Sequence, residues 1–95
     1  MQDKPVLEID EDGSKRWHRN GKFHRDDGPA AELANGGKFW YLNGKRHRTD
    51  GPAIEYINGD KEWYLNDNEY SFEEWLELTP LSEKEKLKLR LMYAD

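Results

Sequence analysis

The stretch Trp40-Tyr41-Leu42-Asn43-Gly44-Lys45-Arg46-His47-Arg48-Thr49-Asp50-Gly51-Pro52-Ala53 decides the fold, because its parts recur along the chain. Twenty-three residues earlier, His24-Arg25-Asp26-Asp27-Gly28-Pro29-Ala30 repeats its second half, and Trp17 with Asn20-Gly21-Lys22 repeats its first. Twenty-three residues later, Lys61-Glu62-Trp63-Tyr64-Leu65-Asn66 answers Lys38-Phe39-Trp40-Tyr41-Leu42-Asn43. A fixed period of this length marks a repeat architecture, in which neighbouring units must stack to bury their apolar faces. Residues 5–68 therefore hold nearly three rungs, the first without its Asp-Gly-Pro opening.

Within a rung the pattern reads as a hairpin. Ala53-Ile54-Glu55-Tyr56-Ile57 leads through Asn58-Gly59 into the run from Asp60 to Leu65. Asn-Gly between β-branched and aromatic residues signals a two-residue turn with positive φ. Asn35-Gly36-Gly37 and Asp12-Gly13-Ser14 stand at the same place in the other rungs, and Asn20-Gly21 and Asn43-Gly44 mark a second reversal. Strand alternation puts Trp63 and Leu65 on one face and Tyr64 on the other, so both faces carry aromatics.

After Asn68 the chemistry changes. Where another His-Arg-x-Asp-Gly-Pro is due stands Tyr70-Ser71-Phe72-Glu73-Glu74-Trp75. Ser71 with Glu74 forms a capping box, and Tyr70 facing Trp75 completes a hydrophobic staple. This helix is expected to stop before Thr79-Pro80, since the residue preceding proline avoids the α region. Ser82 with Glu85 is a second capping box, opening a helix that runs to about Tyr93. Alternating Leu87, Leu89 and Leu91 make an edge strand its rival, but the cap and the strong helix formers favour the helix. The expected fold is mainly β: stacked β-hairpin repeats form one twisted antiparallel sheet, with a short α-helical cap over 69–95, all in a single domain of residues 1–95.

Composition agrees. Leu, Ile, Val and Phe number 17 of 95 residues, a fraction near that of disordered chains. A net charge of only −5 and twelve aromatics argue against disorder. The core is thus expected to be aromatic, built on Trp17, Trp40 and Trp63. No apolar run approaches the roughly 18 residues of a membrane span, and the opening Met1-Gln2-Asp3-Lys4 does not read as a signal peptide. Absence of cysteine removes disulfides, thiolate zinc sites and cysteine catalysis, and points to a reducing compartment such as the cytoplasm. Acidic and basic residues are interspersed along the whole length, with no basic stripe, which disfavours nucleic acid and anionic membranes as partners.

The run from Trp40 to Ala53 resembles the MORN repeat, in the variant Trp-Tyr-Leu-Asn-Gly-Lys-x-His-Arg-x-Asp-Gly-Pro-Ala typical of bacteriophage, large-virus and some bacterial proteins. Trp17 to Ala30 follows it too, except for His18 and Arg19 where Tyr and Leu are usual. The tail Ser71–Tyr93 resembles the ending that such short proteins often carry. The resemblance implies successive hairpins in one elongated sheet, often self-associating, in scaffolds, membrane-junction proteins and antitoxin components. The common form has His-Gly where this chain has His-Arg, so its lipid-binding properties do not carry over.

Residues present in every rung are expected to hold the rung, and a binding site is sought where rungs differ. His24 and His47, each three residues before an Asp, find no further ligands at metal-binding spacing, and they read as turn-stabilising groups. No metal or other cofactor is expected. The first rung is basic and aromatic (Arg16, His18, Arg19, Phe23, Arg25), the third acidic. Such a gradient suits steering of a protein partner or head-to-tail association, or simply a charged edge that resists aggregation. Leu89, Met92 and Tyr93 form the second candidate protein-binding group. Trp40 and Tyr41 beside Arg25 and Arg48 form an alternative ligand site, with a nucleotide base on the aromatics and phosphates on arginine. Ser14 lies in a turn and Ser71 and Ser82 are helix caps, so no serine resembles an activated nucleophile.

The expected function is therefore non-catalytic binding of another protein, with homo-oligomer formation through the open sheet. The resemblance extends this to a phage accessory protein in the host bacterial cytoplasm that blocks a host or defence protein. The alternatives are a protein that sequesters a nucleotide signal and an antitoxin or structural scaffold module.

Overall fold

The computed structural model describes residues 4–93, and the sequence period becomes a ladder of hairpins. Strand β1 (Val6–Ile9) pairs with β2 (Lys15–Arg19), which turns back into β3 (Lys22–Phe23). The second rung contributes β4 (Ala31–Glu32), β5 (Lys38–Phe39), β6 (Tyr41–Leu42) and β7 (Lys45–Arg46). The third contributes β8 (Ile54–Glu55), β9 (Lys61–Leu65) and β10 (Asn68–Tyr70), followed by helices α1 (Phe72–Leu78) and α2 (Glu83–Tyr93). An antiparallel sheet runs in the order β1-β2-β4-β5-β8-β9-β10 with β3 beside β2, while β6 and β7 pair with each other. Backbone bonds carry the ladder past Trp40, which donates to the Ala53 carbonyl at 2.7 Å and accepts from the His47 N–H at 3.2 Å.

Two kinds of reversal alternate. At Asn20-Gly21, Asn43-Gly44 and Asn66-Asp67 both central residues have positive φ, between 50° and 80°, as a two-residue type I′ turn requires. The other reversals correct the sequence reading. Around Asn58-Gly59 the Tyr56 N–H donates to the Asp60 carbonyl and the Gly59 N–H to the Tyr56 carbonyl, both at 2.9 Å. Gly59 has φ +93° while Asn58 does not enter the left-handed region, so the loop has three residues, a type I turn closed by a left-handed glycine. The Asn58 side chain explains the choice: its Oδ1 accepts from the Asp60 N–H at 2.9 Å. Asn35 does the same with Gly37, and Asp12 with Ser14.

Both helices start where their capping boxes place them. Ser71 Oγ accepts from the Glu74 N–H while Glu74 accepts from the Ser71 N–H, and Ser82 and Glu85 exchange the same pair of bonds. Helix α1 ends at Leu78, with Thr79 as its extended C-cap ahead of Pro80. Residues 83–93 are helical, not an edge strand.

The core differs in part from expectation. Trp63, Trp75, Leu76 and Leu89 form one buried cluster, with Phe72, Tyr70 and Tyr93 packed against it. Ala53, Ile54 and Tyr64 form a second, flanked by Phe39 and Trp40. Trp17 and Trp40 are only half-buried, so of the three repeated tryptophans Trp63 alone is a fully enclosed core residue. Immediately before β4 and β8 stand Ala30 and Ala53, both wholly buried.

Candidate interaction surface

On the face that carries the tryptophans, each indole is roofed by a different part of the chain. The guanidinium carbon of Arg25 lies 3.9 Å from the Trp17 ring centroid, and that of Arg48 lies 3.7 Å from Trp40. Arg25 donates to Asp27 at 2.9 Å and to the Pro29 carbonyl at 3.2 Å. Arg48 likewise reaches Asp50 at 2.7 Å and the Pro52 carbonyl at 3.0 Å. The repeated His-Arg-x-Asp-Gly-Pro is thus a clamp: arginine covers the indole, and aspartate and the proline carbonyl hold the arginine. In the third rung Trp75 takes this place, its ring centroid 4.6 Å from that of Trp63 and its indole N–H donating to the Arg48 carbonyl at 2.9 Å.

The repeated histidines join rungs. Nδ1 of His24 accepts from the Asn43 N–H at 2.9 Å, and Nδ1 of His47 accepts from the Asn66 N–H at 3.0 Å. Each imidazole therefore supports the type I′ turn of the following rung. Burial pushes the His47 pKa below its ordinary value. No group of three or more His, Asp or Glu side chains suited to a metal forms among the described residues.

A groove of about 460 Å³ lies between the two Asp-Gly-Pro loops, lined by Arg25, Trp40, Leu42 and Arg48 among others. It brings together three of the four residues of the nucleotide alternative and leaves out Tyr41. The groove points its charges the wrong way for a phosphate. Both guanidiniums are held inward by their clamps, while the Asp26, Asp27 and Asp50 side chains on the rim are 69%, 87% and 77% exposed. An anion would meet carboxylates before it met arginine.

The opposite face carries a continuous aromatic and cationic ladder. His18 stacks on Phe23 at 4.7 Å, and Phe23 stacks on Tyr41 of the next rung at 5.2 Å. Tyr41 pairs across its hairpin with Arg46, whose guanidinium lies 4.3 Å from the Tyr64 ring. The ladder ends in a closed network: Tyr56 and Tyr64 both donate to Glu62, and Arg46 bonds Asp67 at 2.7 Å. Burial, with the adjacent Glu62 carboxylate, pushes the Tyr64 phenol up to about 12.

The basic-aromatic group read from the first rung is divided by this geometry. Arg16, His18 and Phe23 share the ladder face, but Arg16 is paired with Asp10 and His18 with Glu8 at 3.0 Å. Arg25 belongs to the tryptophan face, and Arg19 bonds Asn43 at the turn. The C-terminal group divides too. Leu89 is in the core and Tyr93 packs against it, whereas Met92 is 66% exposed. At 100° per residue Met92 falls outside the arc that Leu89 and Tyr93 turn inward. Sequence reading missed Arg46, although its pairing with Tyr41 follows from a hairpin centred on Asn43-Gly44.

Comparison of the chain with protein-family models, curated proteins and solved structures finds no match. The structure itself defines the class: a mainly β chain of antiparallel hairpin repeats with helices at its C-terminal end. No helix among the described residues is long and apolar enough to cross a membrane.

Proposed function

We propose that this protein is a MORN-like, non-catalytic binding module that captures another protein on its aromatic ladder. The observation that carries the reading is the half-exposed stack His18–Phe23–Tyr41. Rigid rings already ordered by their neighbours lose little entropy on binding, and aromatic residues and arginine are the side chains that most often dominate interfaces. The resemblance to phage-type repeats extends the reading to an accessory protein that blocks a host or defence protein.

The test is capture from host lysate by the immobilised protein and two variants. Phe23→Glu with Tyr41→Glu should lower recovery of the captured protein by about tenfold or more when assayed well below the variant's own melting temperature, which loss of the stack lowers. Leu42→Glu, on the groove side, should leave recovery intact. Loss on Leu42→Glu alone, or release of an ultraviolet-absorbing compound from denatured protein, would favour the nucleotide-sequestering alternative.

A further inference from the structure

Strand β1 occupies a place that is interior in the other rungs. β4 lies between β2 and β5, and β8 between β5 and β9, whereas β1 has β2 alone beside it among the described residues. The period aligns Leu7 with Ala30 and Ala53. Both alanines are wholly buried, and their carbonyls accept from the N–H of the preceding rung's tryptophan at 2.8 and 2.7 Å. Leu7 is 43% exposed, between Val6 at 53% and Ile9 at 61%. An apolar strand with an open edge is what soluble sheets ordinarily blunt or cover. At the other end of the ladder the helices close over Trp63.

We propose that β1 pairs antiparallel with β1 of a second copy of this chain, giving a two-fold dimer with one sheet through both. The Asp10 N–H donates to the Ser14 carbonyl across the hairpin. Alternation then turns the hydrogen-bonding groups of Val6 and Glu8 toward β2 and those of Leu7 and Ile9 outward. With the two-fold axis at Leu7, the two leucines exchange both backbone bonds, and each Ile9 N–H reaches the Pro5 carbonyl of the second copy. Pro5, lacking an N–H, sits on an edge where it supplies only an acceptor. The same register places Lys4 opposite Asp10 of the second copy, twice by symmetry, which is an attractive cross-strand pair. Centring on Glu8 instead would oppose two carboxylates directly. An isologous contact of this kind closes at two copies.

The chain has no cysteine, so Leu7→Cys reports on the contact alone. The register brings the two Cα atoms to about 5.5 Å, within the roughly 4.4–6.8 Å that a disulfide spans. Mild oxidation should convert most of this variant to a covalent dimer. Ile57→Cys, on a loop residue that is 67% exposed, should stay monomeric at the same concentration. Sedimentation of the unaltered protein from about 5 to about 500 μM should reveal the dimer, and Leu7→Arg should weaken it by about tenfold or more without lowering the melting temperature. A monomer at every concentration, a dimer indifferent to Leu7→Arg, or equal cross-linking at position 57 overturns the proposal. A dimer lost on Leu91→Lys instead assigns the contact to α2 and also overturns it.

Discussion

A β-carbon on Gly51 would stand 2.6 Å from the guanidinium carbon of Arg48, so the glycine and the arginine divide one space between them. Gly28 and Arg25 repeat the relationship at 2.8 Å. Neither glycine has the left-handed φ that would demand glycine for conformational reasons. The glycine of each Asp-Gly-Pro is clearance for the roof over the tryptophan.

Gly51→Ala should therefore displace the Arg48 guanidinium from Trp40 and from the Pro52 carbonyl. Losing a partly exposed cation–π contact and one hydrogen bond amounts to about 1–3 kcal/mol, measurable as a shift of the urea midpoint. The substitution should cost much less in an Arg48→Ala background, since the crowding partner is gone. Equal cost in both backgrounds would sink the shared-space account.

Trp75 replaces the arginine roof and also anchors α1, so its truncation should be more damaging. Trp75→Ala should destabilise by about 3–5 kcal/mol and melt the helical signal together with the sheet. Trp75→Phe keeps a ring over Trp63 but removes the donor to the Arg48 carbonyl, and should lose only about 1 kcal/mol. Chemical unfolding followed by far-ultraviolet circular dichroism separates the two outcomes.

Stability should fall on mild acidification through His47. Its folded pKa lies below the ordinary value of 6.5 because of burial, so the unfolded chain takes up the proton first. The contribution is complete above about pH 6.5 and declines as pH falls toward the folded pKa. A proton on Nδ1 also forbids the bond from Asn66. Asp67 is held low by its hydrogen bond from the Arg46 side chain and Glu74 by the Ser71 N–H. Their contributions are lost only at lower pH, below about 4. Urea midpoints between about pH 7 and about pH 5 should thus drift downward, and His47→Gln should flatten that drift. A flat profile for the unaltered protein would refute the assignment.

Much of the fold was legible because repetition and capping are local signals. The period, the type I′ turn at Asn43-Gly44 and both capping boxes needed only short-range pattern. The three-residue loop at Asn58-Gly59 escaped because the same dipeptide serves two turn types, and only the bond from the Asp60 N–H to the Asn58 side chain selects between them. The candidate surface was less legible. Arg25 and His18 belong to the same rung but lie on opposite faces, and that Arg48 folds back onto Trp40 rather than reaching outward depends on the clearance at Gly51. Sequence alone does not place Leu89 in the core, because a helix of alternating leucines does not declare which side meets the sheet.

The bonds that join rungs give the molecule a direction. Trp17 donates to Ala30, Arg25 to Tyr41 and Asn43 to His24, and the same three bonds recur one rung later. Each reaches no further than the adjacent unit, and among the described residues helices fasten the third rung and not the first. Such a chain opens like a zipper with a single free tab, losing units in order rather than all at once. In hydrogen exchange on the monomer, the Trp17 amide should therefore trade its proton sooner than that of Trp40. The amides around Trp63 and Trp75 should be the last to go.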